Sequence, residues 1–325
     1  MSVGSLLSPS GSAALTSFFS AEYLAIFLPL ALILYAAAPK KIRRYVLLAE
    51  SCIFYWIVSG KLILYLIMSA VSVYGFGLWL KKLNSQKNDA VKGAEREEKK
   101  KIKSIYKKKS RLVLALAVLI HIGGLLVIKY SAFAAGNINS LLEMMNVGAR
   151  ISIPRFIMPI GISFFTLQAV SYLVDVYRNT VDADRNFLRI FLWMAFFPQI
   201  VEGPICRYSQ TADGIWKAEG IKFDNLTLGL QRILYGMLKK IVVADRLNSL
   251  INNVFTDYTQ YRGGVIALGA VCYTVQLYME FSGSMDAVIG TAQIFGIDLP
   301  ENFRRPFFSR TITEFWKRWH VTLGE

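Results

Sequence analysis

Apolar runs set the terms for this chain. About Glu22–Ala38, Tyr45–Val58, Leu62–Leu80 and Leu112–Tyr130 are nearly free of charge, and they approach the roughly 20 residues that cross a bilayer as helix. In hydrocarbon every backbone polar group must be satisfied within the protein, which leaves helices or a closed barrel as spanning structures. The runs have no strand-like alternation, so the expected class is all-α and polytopic. Hydrophobic residues at 54% and charged residues at 18% of the 325 agree, against about a quarter charged in a soluble globule.

Charge is concentrated rather than spread. The net charge is +15, and Lys81–Arg111 holds 13 Lys/Arg against 4 Asp/Glu. Only Tyr106 is interleaved there as a base-stacking aromatic, so nucleic-acid binding is set aside in favour of a basic cytoplasmic loop, partly disordered or helical, obeying the positive-inside rule. The link Pro39–Arg44 is basic too, and two crossings separate it from the loop. Both then face the cytoplasm and the N-terminus lies outside. Residues 1–20 lack a basic leader and a small-residue cleavage site, so no removed signal is expected. Ser131–Pro154 is read as an outer loop. Cys52, Cys206 and Cys272 form neither a disulfide framework nor a metal-ligand spacing, and Cys206 has no visible base to make it a nucleophile.

After Pro154 the character changes. Phe156–Tyr177 carries Gly161, Ser163, Thr166, Gln168 and Asp175. Phe187–Ile200 is short, Leu226–Val243 contains Arg232 and Lys239-Lys240, Val265–Phe281 contains Gln276 and Glu280, and Asp286–Ile297 is too short to span alone. Polar groups and Pro/Gly breaks at membrane depth survive only when protein or a water-filled cavity surrounds them. The reading is therefore a scaffold over 1–130 and, over 151–325, a core of broken and re-entrant helices around a central cavity lined by Gln276 and Ser282.

Several motifs have local explanations. Pro159 and Gly161 loosen a helix, and Gly203-Pro204 is an ordinary turn. Arg207 is an interfacial anchor, and Glu280 is a buried tie to Arg304 or Arg305. Thr311 and Glu314 fit a capping box. Trp316 and His320 fall at i,i+4, as do Phe315 and Trp319, which would place each pair on one helix face. His121, alone in the fourth run, reads as a packing residue, whereas His320 follows an aromatic and basic turn and suits proton transfer near neutral pH.

Six segments in order, Pro159–Thr166, Ser171–Arg178, Phe196–Gln199 with Gly203-Pro204 and Arg207, Gln276–Gly283, Leu299–Phe303 and Thr313–His320, resemble the membrane-bound O-acyltransferase family. The pattern is similar to its bacterial branch of alginate O-acetylation and D-alanyl-transfer proteins. Glu280 stands where the family commonly has aspartate, and Ser284 where it has tyrosine. The resemblance implies acyl transfer, acetyl ahead of D-alanyl, from acetyl-coenzyme A or an acyl carrier protein. The acceptor would be an extracytoplasmic polysaccharide, reached directly or through a partner transferase, and the setting a bacterial cell membrane and its lipid. It implies His320 as a catalytic group and Gln276, Tyr278, Ser282, Asn302, Trp316, Arg318 and Trp319 as substrate-binding, with no bound cofactor or metal. Longer members carry a further histidine downstream, so a core incomplete at its C-terminus is expected, and no transfer by this chain alone. A D-alanyl transferase of teichoic acid, a transporter and a non-catalytic scaffold stand as alternatives.

Overall fold

The computed structural model describes Leu15, residues 17–154 and residues 156–324. Most of the reading for 1–20 therefore lies outside the described residues. The fold is helical, and the one β feature among the described residues is an isolated bridge between Phe303 and Trp319. A π-helical segment, Glu22–Phe27, runs into α1 (Leu28–Ala37), followed by α2 (Arg43–Ser59), α3 (Ile63–Val91), α4 (Arg96–Met144), α5 (Ile162–Arg178) and α6 (Phe187–Ala195). Then come α7 (Tyr208–Lys217), α8 (Phe223–Met237), a π-helical stretch Leu238–Ala244, α9 (Asp245–Thr256), α10 (Gly263–Ile294), α11 (Ile312–Arg318) and α12 (Val321–Gly324).

By length and composition three helical runs can cross a membrane, Arg43–Val91, Arg96–Met144 and Gly263–Ile294, with a shorter apolar helix at Glu22–Ala37. The all-α, membrane-spanning class stands. Two compact units interleave along the chain, one of Met1–Val58, Phe196–Cys206 and Gln210–Glu325, the other of Ser59–Ala195 and Arg207–Ser209. The sequence division was 1–130 and 151–325.

In the second unit the basic stretch is largely helical, one of the two states expected for it, and the loop is short. α3 continues to Val91 and α4 begins at Arg96, leaving a turn of four residues that passes through Gly93 at φ 81°. The stretch is rich in Lys, Glu and Arg, which are good helix formers, so the two helices grow past the apolar runs. α4 also continues into the Ser131–Pro154 stretch expected as an outer loop, ending at Met144, and residues 145–154 are non-helical. At 49 residues it is about 70 Å long, more than twice a bilayer core. α5 starts later than expected, at Ile162, because Gly161 adopts φ 73° and breaks the run from Phe156. His121 is buried, with Nδ1 3.4 Å from Ser69 Oγ.

In the first unit the segments read as separate, Val265–Phe281 and Asp286–Ile297, are one helix, α10. The Ser-Gly-Ser interruption is a packing device. A Cβ on Gly236 of α8 would fall 2.6 Å from the Gly283 carbonyl, and one on Gly229 would fall 2.6 Å from the Gly290 carbonyl. Two pairs seven residues apart thus let α8 and α10 approach backbone to backbone, as small residues do between membrane helices.

Candidate active site

The site is built by a return of the chain upon itself. α11 starts at Thr311, whose Oγ1 accepts from the Glu314 amide at 3.1 Å. Glu314 accepts from the Arg310 amide at 2.8 Å, so the expected cap forms with that amide donor shifted by one residue from Thr311. The Arg310 amide, with Arg318 beyond it, holds the Glu314 carboxyl below its ordinary range. Arg318 closes the turn on Glu314 at 2.5 Å.

The helix then stops. Trp319 is extended and His320 is left-handed, with φ 47°. The i,i+4 reading of Trp316 with His320 is therefore corrected. No helical turn joins them, and Trp316 is 61% exposed. A left-handed non-glycine residue costs about 1–2 kcal/mol, and the surrounding bonds hold it. Arg304 donates its amide to Arg318 O at 2.9 Å and Val321 donates to Asn302 O at 3.0 Å. These bonds flank the Phe303–Trp319 bridge. Phe303, Trp319, Tyr278, Phe307 and Phe315 pack as a ring cluster, with Phe315 and Trp319 stacked at 5.6 Å.

This return sets His320 against Asn302, which is fully buried. The Asn302 Oδ1 accepts from the Thr322 amide at 3.2 Å and from Thr322 Oγ1 at 3.0 Å. It also stands 3.1 Å from His320 Nδ1. An amide oxygen can only accept, so Nδ1 carries the proton and the Nε2 lone pair is left for chemistry. Thr322 Oγ1 in turn accepts from the Ile205 amide at 3.0 Å, and Asn302 Nδ2 donates to Met285 Sδ at 3.3 Å. Burial holds the imidazole below its ordinary pKa of 6.5, favouring the neutral base. Phe281 lies edge-on to the ring at 5.0 Å.

Behind Asn302 stands a charge network. Arg232 on α8 donates to Asp286 at 3.1 Å and to Glu301, next to Asn302, at 2.6 Å. Lys239 bonds the other Asp286 oxygen at 2.6 Å. Glu280 pairs with Lys240 at 2.6 Å, which corrects the expected tie to Arg304 or Arg305. The lysine sits on the π-helical stretch packed against α10, while the arginines follow the loop to Phe303.

Of the residues singled out from sequence, Tyr278, Asn302, Trp319 and His320 come together. Gln276 instead donates to Asn248 on α9 at 3.4 Å. Ser282 is buried with its Oγ unpartnered among the described residues. Arg318 is engaged with Glu314. Arg207 lies 3.9 Å from Asp175. Cys206 is buried, its thiol donating to Pro204 O at 3.4 Å, and burial pushes that thiol well up, away from the thiolate. Sequence reasoning missed Phe281, Met285, Thr322 and the Arg232–Asp286–Glu301 ties. Thr322, two residues past His320, had the signal of a small hydroxyl residue. The others had no signal short of the fold.

Comparison with known proteins gives the family. No family model matches. The chain is 33% identical over 308 residues to the probable alginate O-acetylase AlgI of Pseudomonas syringae pv. tomato, covering 94% of this chain and 55% of that protein. It is 30% identical over 240 residues to a peptidoglycan O-acetyltransferase of Helicobacter pylori, covering 66% of this chain and 45% of that one. With a teichoic acid D-alanyltransferase of Bacillus subtilis the identity is 29% over 170 residues, 51% of this chain and 42% of that one. The chain spans about half the length of the curated relatives it matches. It belongs to the membrane-bound O-acyltransferase family, on the bacterial branch that holds these surface-polymer acyltransferases.

Proposed function

We propose that this chain serves acyl transfer in a bacterial cell membrane. An acetyl group would pass from a cytoplasmic thioester, acetyl-coenzyme A, to a hydroxyl of an extracytoplasmic polysaccharide, directly or through a partner transferase. The observation that carries the reading is the His320–Asn302 pair, a neutral imidazole with Nδ1 committed and Nε2 available. The acceptor hydroxyl gives its proton to Nε2 as its oxygen attacks the thioester carbonyl. The C–S bond then breaks, and the leaving thiolate takes the proton back from Nε2. Asn302 keeps the ring in the tautomer that this sequence of steps needs.

Acetyl is favoured over D-alanyl because the likeness to alginate O-acetylases runs over 94% of the chain, against 51% for the D-alanyltransferases. His320→Ala, introduced at the native gene, should lower acetylation of the surface polysaccharide about 10²–10⁴-fold while leaving protein level and membrane insertion unchanged. Undiminished acetylation would favour the non-catalytic scaffold instead. The orientation follows from the basic α3–α4 hairpin, which should face the cytoplasm and leave the N-terminus outside. Cysteines placed at Ser85 or Ser104 should react with an impermeant thiol reagent only after the cells are opened, and labelling of intact cells would reverse the assignment.

A further inference from the structure

The second unit contains a pocket that acyl transfer at His320 does not use. Its volume is about 320 Å³, and its walls come from α3, α4 and the end of α5. The sequence places the wall residues in register. Lys103, Tyr106, Lys107 and Ser110 stand at i, i+3, i+4 and i+7 on one face of α4, and Leu80, Asn84 and Lys87 hold the matching spacing on α3.

The position along the helices matters. Leu80 and Val176 line the pocket near the ends of the apolar runs Leu62–Leu80 and Phe156–Tyr177, and the lysines belong to the basic extension of the helices. The wall is ordered: Lys87 Nζ donates to Asn84 Oδ1, and Asn84 Nδ2 donates to Asn179 Oδ1. Asn179 is held by its left-handed conformation at the end of α5, φ 61°, and Thr180 takes up the Asp175 carbonyl there through both its amide and its hydroxyl.

The charge is unbalanced. The hairpin's described ion pairs, Lys92–Asp89 and Lys100–Glu97, lie toward its tip. Lys87, Lys103 and Lys107 have no ion pair among the described residues. Three like charges around one cavity repel one another, and an outside anion relieves that repulsion. Ammonium groups with amide and hydroxyl donors beside them suit the several acceptor oxygens of a phosphate.

We propose that this pocket is a phosphate-binding site at the membrane–water interface, taking a phosphomonoester or phosphodiester group. Two sources carry that chemistry: the headgroup of an anionic phospholipid, or the phosphates of a soluble nucleotide-bearing thioester donor. The second source rests on the acyl-transfer reading above; the first does not.

The test uses the full chain in nanodiscs and two probes. Adenosine 3′,5′-bisphosphate is titrated by calorimetry into phosphatidylcholine discs, and phosphatidylglycerol is added in a graded fraction with retention read by native mass spectrometry. At least one probe should bind, with affinity falling as salt rises. The triple variant Lys87→Gln/Lys103→Gln/Lys107→Gln should weaken it at least about tenfold. The charge-matched triple Lys99→Gln/Lys100→Gln/Lys101→Gln, away from the pocket, should leave it within about threefold. Nucleotide binding assigns the soluble source, and phosphatidylglycerol retention alone assigns the lipid. Absence of binding by both probes, or equal loss in the two triples, overturns the proposal. No turnover is read, so a failed transfer assay at His320 and a failed binding assay here are separate results.

Discussion

Two buried acids in the same unit have opposite surroundings. Asp286 on α10 is held by Arg232 at 3.1 Å and Lys239 at 2.6 Å, and Arg232 continues to Glu301 beside Asn302. Glu50 on α2 is 4% exposed, and both its carboxylate oxygens are buried without a partner among the described residues. It lines an otherwise largely apolar pocket of about 320 Å³ with Phe27, Leu30 and Ile53. At Asp286 the charge is a strut: removing it strands Lys239 and leaves Arg232 with Glu301 alone. At Glu50 nothing depends on the carboxyl, and its desolvation is uncompensated. An acid at membrane depth therefore says little by itself about function, and its partners decide.

The contrast is sharpest on substitution. Asp286→Ala should destabilise the chain by about 3–5 kcal/mol, since it leaves buried positive charge unpaired. Thermal unfolding in detergent would read this, and an unchanged midpoint would remove the network from the account. Gly236→Leu should cost about 1–3 kcal/mol or more, because the Gly283 carbonyl cannot yield as a side chain would. Loss of stability without loss of helicity is the expected signature.

Asn302→Ala should cost about 1–3 kcal/mol through the donors of Thr322 left unsatisfied. It should also depress turnover by freeing the His320 ring. Asn302→Asp should place a carboxylate on Nδ1 and raise the imidazole pKa, moving the acid limb of the rate profile toward higher pH. In the unsubstituted protein that limb should lie below 6.5, the ordinary value, because burial depresses the folded His320 pKa. By the same linkage, His320 contributes stability above 6.5 that is lost as pH falls toward its folded pKa. The smallest effect belongs to Glu50→Gln, which should leave the midpoint unchanged or slightly raised. A clear fall would mean that Glu50 has a partner after all.

Much of this was legible beforehand, and the misses share a cause. The apolar runs gave the helical class, and the basic stretch was expected to be partly disordered or helical, as the ends of α3 and α4 are there. The series from Gln276 to His320 pointed to the region that holds Tyr278, Asn302, Trp319 and His320. The errors came wherever a local signal met a tertiary contact. Gly283 reads as a break in one dimension, yet in the fold it is where α8 touches α10. Trp316 and His320 have helical spacing, but pairing of residues 302–304 with 318–321 ends the helix first. Glu280 sits as near in sequence to Arg304 as a guess could ask, while Lys240 reaches it across the helix crossing. Asn302 was chosen as a substrate contact. In the structure it is bonded to His320 and Thr322, so its effect on substrate would pass through the imidazole.

The central claim is that Asn302 holds His320 as a neutral, Nδ1-protonated imidazole with Nε2 free to act as base. The chain has only two histidines, His121 and His320, so ¹⁵N-histidine labelling gives two sets of ring resonances, and His121→Gln assigns them. Near pH 7.5 the His320 set should show a protonated Nδ1 and a bare Nε2, and Asn302→Ala should collapse that preference into a mixture of tautomers. A His320 ring protonated at Nε2 or at both nitrogens, or one indifferent to Asn302→Ala, would contradict the account.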